Sequence, residues 1–357
     1  MRLLFLLTFS LRVLLACDSS NSLSIHTSDA YHFGYFWEEV RNRNIDKNLE
    51  ETIGIRKQEI HLQKEHWRQK IHEEEVHHQI KQLLLFGDSL ALSKAGMGGT
   101  YFLMNAHREV AFVIKPEDEN ILSLNNPKHF ASPFDALEAC PRKHIPGYGS
   151  TQRDALCYEV AKLLDLEELT PKVWIGIFHS EAFYDIGVGK EDKEKLCSVQ
   201  EYLKETQSLY DFIKQNDLEK ELSLFIDQEE FENANIFVWT IFDNDAHPRN
   251  FQVYLKQAYP QMLYGLKKID NSLSFPEENK NMLNFLSFFP NAKEKLSLKA
   301  KQKILGIPVK KIEAEMQHFE LSYKAIDAFK TRIHFLKHLI SKEDLTIEEI
   351  NERLLNQ

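Results

Sequence analysis

The chain has few cysteines. There are four in 357 residues, Cys17, Cys140, Cys157 and Cys197, and no two lie at the short spacing that a zinc ribbon or a redox motif requires. Neither a structural zinc site nor a disulfide framework is therefore indicated. Positive charge is also short: the formal net charge is −10, which disfavours broad non-specific binding to nucleic acid or to an anionic membrane. No fixed-period repeat and no low-complexity tract occurs, so solenoid architectures are excluded. What remains is an ordinary globular composition, 43% hydrophobic and 27% charged, long enough for two domains or one large two-lobed one.

The apolar run at the N-terminus is too short for a spanning helix. Met1 to Cys17 reads as one Arg, an apolar stretch interrupted by Arg12, and then Leu14-Leu15-Ala16-Cys17, which is similar to a bacterial lipoprotein cleavage box. Residues 1–25 are expected to be a signal-like or membrane-targeting segment, giving a membrane-associated or exported protein, with a host cell as one destination. An uncleaved targeting segment or a misplaced start codon is the alternative, and a cytoplasmic location follows if the segment is no signal.

From 35 to 85 Gly and Pro are nearly absent. Trp37, Val40, Ile45, Leu49, Ile53, Ile60, Leu62 and Trp67 form a broken helical pattern among charges of both signs. This predicts a charged helical accessory region able to bind a partner protein. Within it, His72-Glu73-Glu74-Glu75-Val76-His77-His78 fails as a zincin motif because Val76 stands where the second His is needed.

Chemistry concentrates further on. Gly96-Met97-Gly98-Gly99-Thr100 precedes an alternating run with Tyr101 and Leu103, a polar turn, and Val110 to Pro116 with Lys115 near its end. Glycines let backbone amides approach phosphate oxygens, and a Lys closing an apolar strand supplies a fixed charge. A hairpin turn with a snorkelling Lys is the plainer reading. Thr151 to Leu166 reads as a helix, Val173 to Phe178 as a strand, and Ser198 to Leu203 as a short connector. Phe231, Ala234, Phe237, Val238, Ile241 and Phe242 mark a buried helix that feeds Asp243-Asn244-Asp245-Ala246-His247-Pro248-Arg249-Asn250. A strand pair follows, Phe251 to Leu255 and Met262 to Ile269, ending at Asp270. A loop Asp, an Asn five residues on and an Asp after a hairpin are the groups that hold Mg²⁺ and orient a hydroxyl in phosphoryl transfer, although Asp and Asn also populate ordinary turns. The C-terminal core is expected from Leu298, Ile304, Leu305, Ile312, Met316, Phe319, Phe329, Ile333 and Leu336.

Together these segments resemble the type II phosphatidylinositol 4-kinases and their plant gamma-type relatives, from about Gly96 to Leu305. The residues carrying the likeness are Gly98 to Phe102, Val113 to Pro116, Asn125-Asn126-Pro127-Lys128, Tyr158 to Ala161, Ser198 to Leu203, Asp245 to Asn250, Ile269 to Pro276 and Phe289 to Lys293. The resemblance implies an α+β, two-lobed protein-kinase-like fold. Its strand-rich lobe would occupy about 90–197, its hinge 198–203 and its helical lobe 204–340, with 341–357 a tail. It implies a lipid kinase using ATP and Mg²⁺ or Mn²⁺, acting on phosphatidylinositol membranes, with no nucleic-acid partner. A protein kinase of the same fold and a silent binding module are the alternatives.

Carried over by position, Asp245 and His247 would be catalytic, and Asn250 and Asp270 would hold the metal. Gly96, Gly98, Gly99 and Thr100 would cover the phosphates. Lys115 would contact them, braced by Glu159, and Gln200, Glu201 and Tyr202 would form the nucleotide hinge. Two departures stand out: Ala246 replaces an Arg and Ser272 a Gly. The palmitoylated Cys run of the animal enzymes is reduced to Cys140-Pro141, and the apolar group Met282 to Phe289 is expected to be buried rather than to face lipid.

Overall fold

A computed structural model describes residues 47–85, 89–120, 123, 125–128, 145, 148–185, 192–216, 226–258, 262–280 and 282–356. The signal-like segment, Cys17 and Cys140 lie outside these residues.

Among the described residues two helices come first, α1 (Lys47–Lys70) and α2 (Glu75–Leu85). A five-stranded antiparallel sheet follows, made of β1 (Leu90–Leu92), β2 (Tyr101–Met104), β3 (Val110–Pro116), β4 (Val173–His179) and β5 (Glu194–Glu201) in the order β1-β2-β3-β5-β4. Helix α3 (Ser150–Leu163) is inserted between β3 and β4. The second half holds a small sheet of β6 (Gln207–Ser208), β7 (Phe251–Gln257) and β8 (Leu263–Lys268). Around it lie α4 (Leu209–Asn216), α5 (Gln228–Ile241), α6 (Leu298–Gly306), α7 (Val309–His318), α8 (Tyr323–Lys342) and α9 (Ile347–Leu355). This is the α+β, strand-rich then helix-rich plan expected from the sequence.

Each half has its own core. In the first, Tyr101, Leu103, Phe112, Ile114, Phe178 and Val199 pack with Ile80 and Leu84 of α2. Helix α2 therefore completes the sheet's core and is no detachable accessory. His77 is buried there: its Nδ1 accepts from the Glu74 amide, its Nε2 meets the Ile175 carbonyl at 2.9 Å, and its ring stacks on Phe178. Helix α1 spans both halves. Lys57 and Lys64 reach Asp185 and Asp192 near the sheet, while Trp67 stacks on Phe319 and Lys70 pairs with Glu320 at the other end. Leu62, expected to share its apolar face, is exposed.

In the second core α5 sits at the centre, and every residue from Ala234 to Ile241 is buried, Asn235 and Thr240 included. Its N-cap Asp227 accepts the Glu230 amide, and it stops at Phe242, whose left-handed backbone (φ 51°) turns the chain into the loop that follows.

Two expected boundaries shift, and two expected core residues are exposed. Ser198 to Glu201 is not connector but the end of β5, paired with β3 on one side and β4 on the other. Its polar residues hid the strand, because Lys195 and Ser198 are buried against Asp118 and Asp154. The expected tail contains α9, closed by a Thr346–Glu349 capping box, with Ile347, Ile350 and Leu354 in the core. Leu298 and Leu305 are exposed rather than core, while Ile304, Ile312, Met316, Phe329, Ile333 and Leu336 are buried. In the 282–289 group Met282 and Leu286 are buried and only Phe288 is largely exposed. No helix among the described residues is long and apolar enough to cross a membrane.

Candidate active site

The loop after α5, the end of β8, the end of β3 and the glycine loop meet in one cleft of about 540 Å³ between the two halves. A second concavity of about 770 Å³, beside α2 and β4, is lined by charges that already pair with one another, Glu73 with Lys81 and Arg68 with Glu194. The chemistry-bearing groups lie in the first.

Lys115 stands at its centre. The ammonium is 2.9 Å from Asp270 Oδ1 and 3.3 Å from Asp154 Oδ2. Burial alone would pull this amine down, but the two carboxylates outweigh it and hold Lys115 above its ordinary value. Lys115 in turn holds Asp270 down to about 2 against the opposing effect of burial. Asp270 keeps 45% of its side chain exposed to the cleft and adopts a left-handed backbone (φ 56°), a conformation that a non-glycine residue holds only where its surroundings impose it.

Glu159, expected to brace Lys115, instead pairs with Lys162 on a partly exposed surface. Asp154 takes the role. It lies five residues earlier, and five helical steps rotate a side chain by about 140°. Asp154 is fully buried and serves three segments at once: Lys115 on β3, the Ser198 hydroxyl on β5 (3.2 Å) and the Asn271 amide beyond β8 (3.1 Å). Its neighbour Arg153 donates through Nε to the Ser272 carbonyl at 2.6 Å. The first turn of α3 thus clamps the Asp270 segment. The sequence signal for it was the Arg153-Asp154 pair, four and five residues after Gly149, near the start of a helix rather than in its middle.

Asp245 and Asn250 are held together: the Asn250 amide nitrogen donates to the Asp245 carbonyl at 2.9 Å and to its Oδ2 at 3.3 Å. The Ile269 amide donates to the Asn250 carbonyl, which ties this loop to the Asp270 segment. His247 Nε2 lies 3.7 Å from Asp245 Oδ2, and its Nδ1 accepts the Arg249 amide, so the ring is oriented by the loop it caps. Beneath both loops a fully buried pair, Asp243 and Lys268, meets at 2.6 Å. Asp243 Oδ1 accepts the Asp245 amide, and Lys268 donates to the Ile269 carbonyl. Burial pushes the Asp243 carboxyl up despite the opposing pull of Lys268. Neither partner was singled out in the sequence, where a Lys inside an apolar strand reads as solvent-facing.

Gly96, Gly98 and Thr100 line the cleft. Gly99 does not serve it, because its amide donates to the Glu119 carbonyl, and a Cβ there would lie 2.5 Å from the Cβ of Glu119. Gln200 and Tyr202 also line the cleft, while Glu201 faces solvent. Ala246 is fully buried and its carbonyl accepts the Phe285 amide, so an Arg at this position would have to displace packed core. Ser272 carries no left-handed strain and directs its hydroxyl at Asp270 Oδ1, 3.3 Å away. Both departures from the type II pattern are accommodated locally.

Asp270 Oδ2 and Asn250 Oδ1 accept no hydrogen bond from the described residues. They offer the hard oxygen donors that suit Mg²⁺ or Mn²⁺.

No protein-family model matches the chain, and no curated protein matches it. Among solved structures, a crystal structure of the Helicobacter pylori proinflammatory kinase CtkA aligns over 74% of this chain and 94% of that one, with 9% identity and a TM-score of 0.34. A likeness at that level leaves function to be read from the cleft itself.

Proposed function

We propose that the chain is an ATP- and Mg²⁺-dependent phosphotransferase that carries the γ-phosphoryl group of ATP to an alcohol, with the inositol ring of phosphatidylinositol as acceptor. The observation that carries this reading is Lys115, held between Asp154 and Asp270 and facing the same cleft as Asp245, Asn250 and the glycine loop. Phosphoryl transfer requires little more than positioning and charge stabilisation, and these residues supply both.

Lys115 neutralises phosphate oxygens, and the amides of the glycine loop hydrogen-bond others. Gln200 and Tyr202 contact the base. Asp245 accepts the proton of the acceptor hydroxyl as its oxygen bonds to the γ-phosphorus, the bond to the β-phosphate oxygen breaks and ADP leaves. Asn250 fixes the Asp245 loop for that contact, with the His247 ring beside it. Asp270 and Asn250 would hold Mg²⁺, which neutralises charge on the transferring phosphate.

A lipid headgroup is favoured as acceptor by the cation at the cleft mouth. The Arg249 guanidinium lies 4.6 Å over the Tyr210 ring and lines the cleft beside His247, a pairing that suits a phosphodiester-linked polyol.

The test is transfer from γ-labelled ATP to phosphatidylinositol vesicles and, in parallel, to a mixed protein pool, with Asp270→Ala as control. Label in lipid that Asp270→Ala abolishes, in a chain that melts normally, is the expected result. Label in protein alone would replace the acceptor with a protein hydroxyl. No label in either would leave a silent nucleotide-binding module.

A further inference from the structure

We propose that Asn126 and Lys128 are positioning residues that lock the glycine loop with its amides turned into the cleft, building an anion site before any ligand arrives. It rests on the reading above only for the identity of the anion.

Three consecutive carbonyls of the loop are captured from behind. Lys128 Nζ donates to the Ala95 carbonyl at 2.6 Å and to the Gly96 carbonyl at 3.0 Å. Asn126 Nδ2 donates to the Met97 carbonyl at 2.9 Å. In a trans peptide the C=O of one residue and the N–H of the next point in opposite directions across one rigid plane. Fixing the carbonyls of 95, 96 and 97 on one side therefore turns the amides of 96, 97 and 98 to the other. Gly96, Met97 and Gly98 line the cleft on that side, with Lys115 among its other walls. None of the three amides donates to an acceptor among the described residues, whereas those of Ala95 and Gly99, on either side, are bonded to Ser93 and Glu119. Three adjacent amides left open in a loop whose carbonyls at 95, 96 and 97 are taken form the concavity that backbone uses to bind anions.

The brace is itself anchored. Asn126 is only 1% exposed, its Nδ2 also donates to the Asn120 carbonyl at 2.9 Å, and its Oδ1 accepts the Lys128 amide at 2.8 Å. The preceding Asn125 donates to Asp118 at 2.6 Å. Lys115 thus lies near the end of β3, and the loop's support follows it in the chain at Asn126 and Lys128. The bonds from Asn126 to Asn120 and from Asn125 to Asp118 tie the cradle's support to the stretch just after β3, which is the preorganisation that an electrostatic site needs.

The experiment uses the full chain with Lys128→Met and Asn126→Ala, with Asn126→Ser as the milder change should Asn126→Ala lower the melting temperature. ADP and adenosine are titrated by calorimetry. Tryptic cleavage after Lys94, which is exposed within the loop, is timed without nucleotide. Both variants should bind ADP roughly tenfold more weakly, the size of one lost charge-assisted contact. Adenosine affinity should not change, and cleavage after Lys94 should quicken several-fold in both. A weakening confined to Lys128→Met would mean that Lys128 touches phosphate directly, and it would overturn the brace, since Asn126 carries no charge. Unchanged cleavage in both variants would also overturn it. An unaltered chain that binds neither ADP nor adenosine would defeat the nucleotide reading alone, and cleavage after Lys94 would still decide the brace.

Discussion

Replacing Lys268 with Met isolates the pair that joins the two loops of the cleft. Lys268 and Asp243 are both fully buried and meet at 2.6 Å, where an effective dielectric near 20 gives an attraction of about 6 kcal/mol. Desolvating the two ions opposes most of that, so the intact pair adds little net stability. Removing one partner is different, because Asp243 is then buried without compensation, at a cost of about 3–5 kcal/mol near neutral pH. That is a large fraction of the ~5–15 kcal/mol that holds a domain folded.

The pH dependence follows from the sign of the shift. The Asp243 carboxyl already lies above its ordinary value because of burial, and loss of Lys268 moves it further up. A carboxyl raised in the folded state binds more protons there than in the unfolded chain, so stability falls as pH rises between the unfolded and folded values. The Lys268→Met defect should thus be larger at pH 7 than at pH 5 and shrink as pH drops toward ~4, the ordinary Asp value. Asp243→Asn combined with Lys268→Met should recover most of the loss. Urea midpoints at pH 5, 6, 7 and 8 for the single and double variants measure both effects. A pH-independent defect, or a double variant no more stable than Lys268→Met, would refute the reasoning.

Asp154→Asn should lower phosphate transfer on the order of 10²-fold by releasing both Lys115 and the Asp270 segment, whereas Glu159→Gln should leave the rate within about twofold; steady-state kinetics of the two separate the braces. Glu119, raised to about 8 by burial and by neighbouring Asp118, should make the chain lose stability as pH climbs from ~4.3 to about 8, and Glu119→Gln should flatten that slope in melting curves taken from pH 5 to 9. Asn351→Leu should cost about 1–3 kcal/mol in a urea melt, because it strips the Trp239 indole N–H of its 2.7 Å acceptor and the Asn284 amide of one of its own.

The sequence by itself determined the order of the parts. Alternation placed β2 and β3, helical spacing placed α5, and the Asp245, Asn250 and Asp270 positions were readable because loop residues of those types follow directly from long apolar elements. Local pattern reaches as far as the face of one helix or strand. Only the tertiary structure decided which carboxylate meets Lys115, since Asp154 and Glu159 share one helix and differ in what packs opposite them. The same holds for β5, whose end from Ser198 reads as a connector until Asp118 and Asp154, distant in the chain, are brought against Lys195 and Ser198. The 35–85 region reads as a charged helical accessory, while the sheet face that Ile80 and Leu84 of α2 cover is assembled from strands further along. Polar residues buried against partners far along the chain carry no periodic signal, and in this protein they are the residues that set the geometry of the cleft.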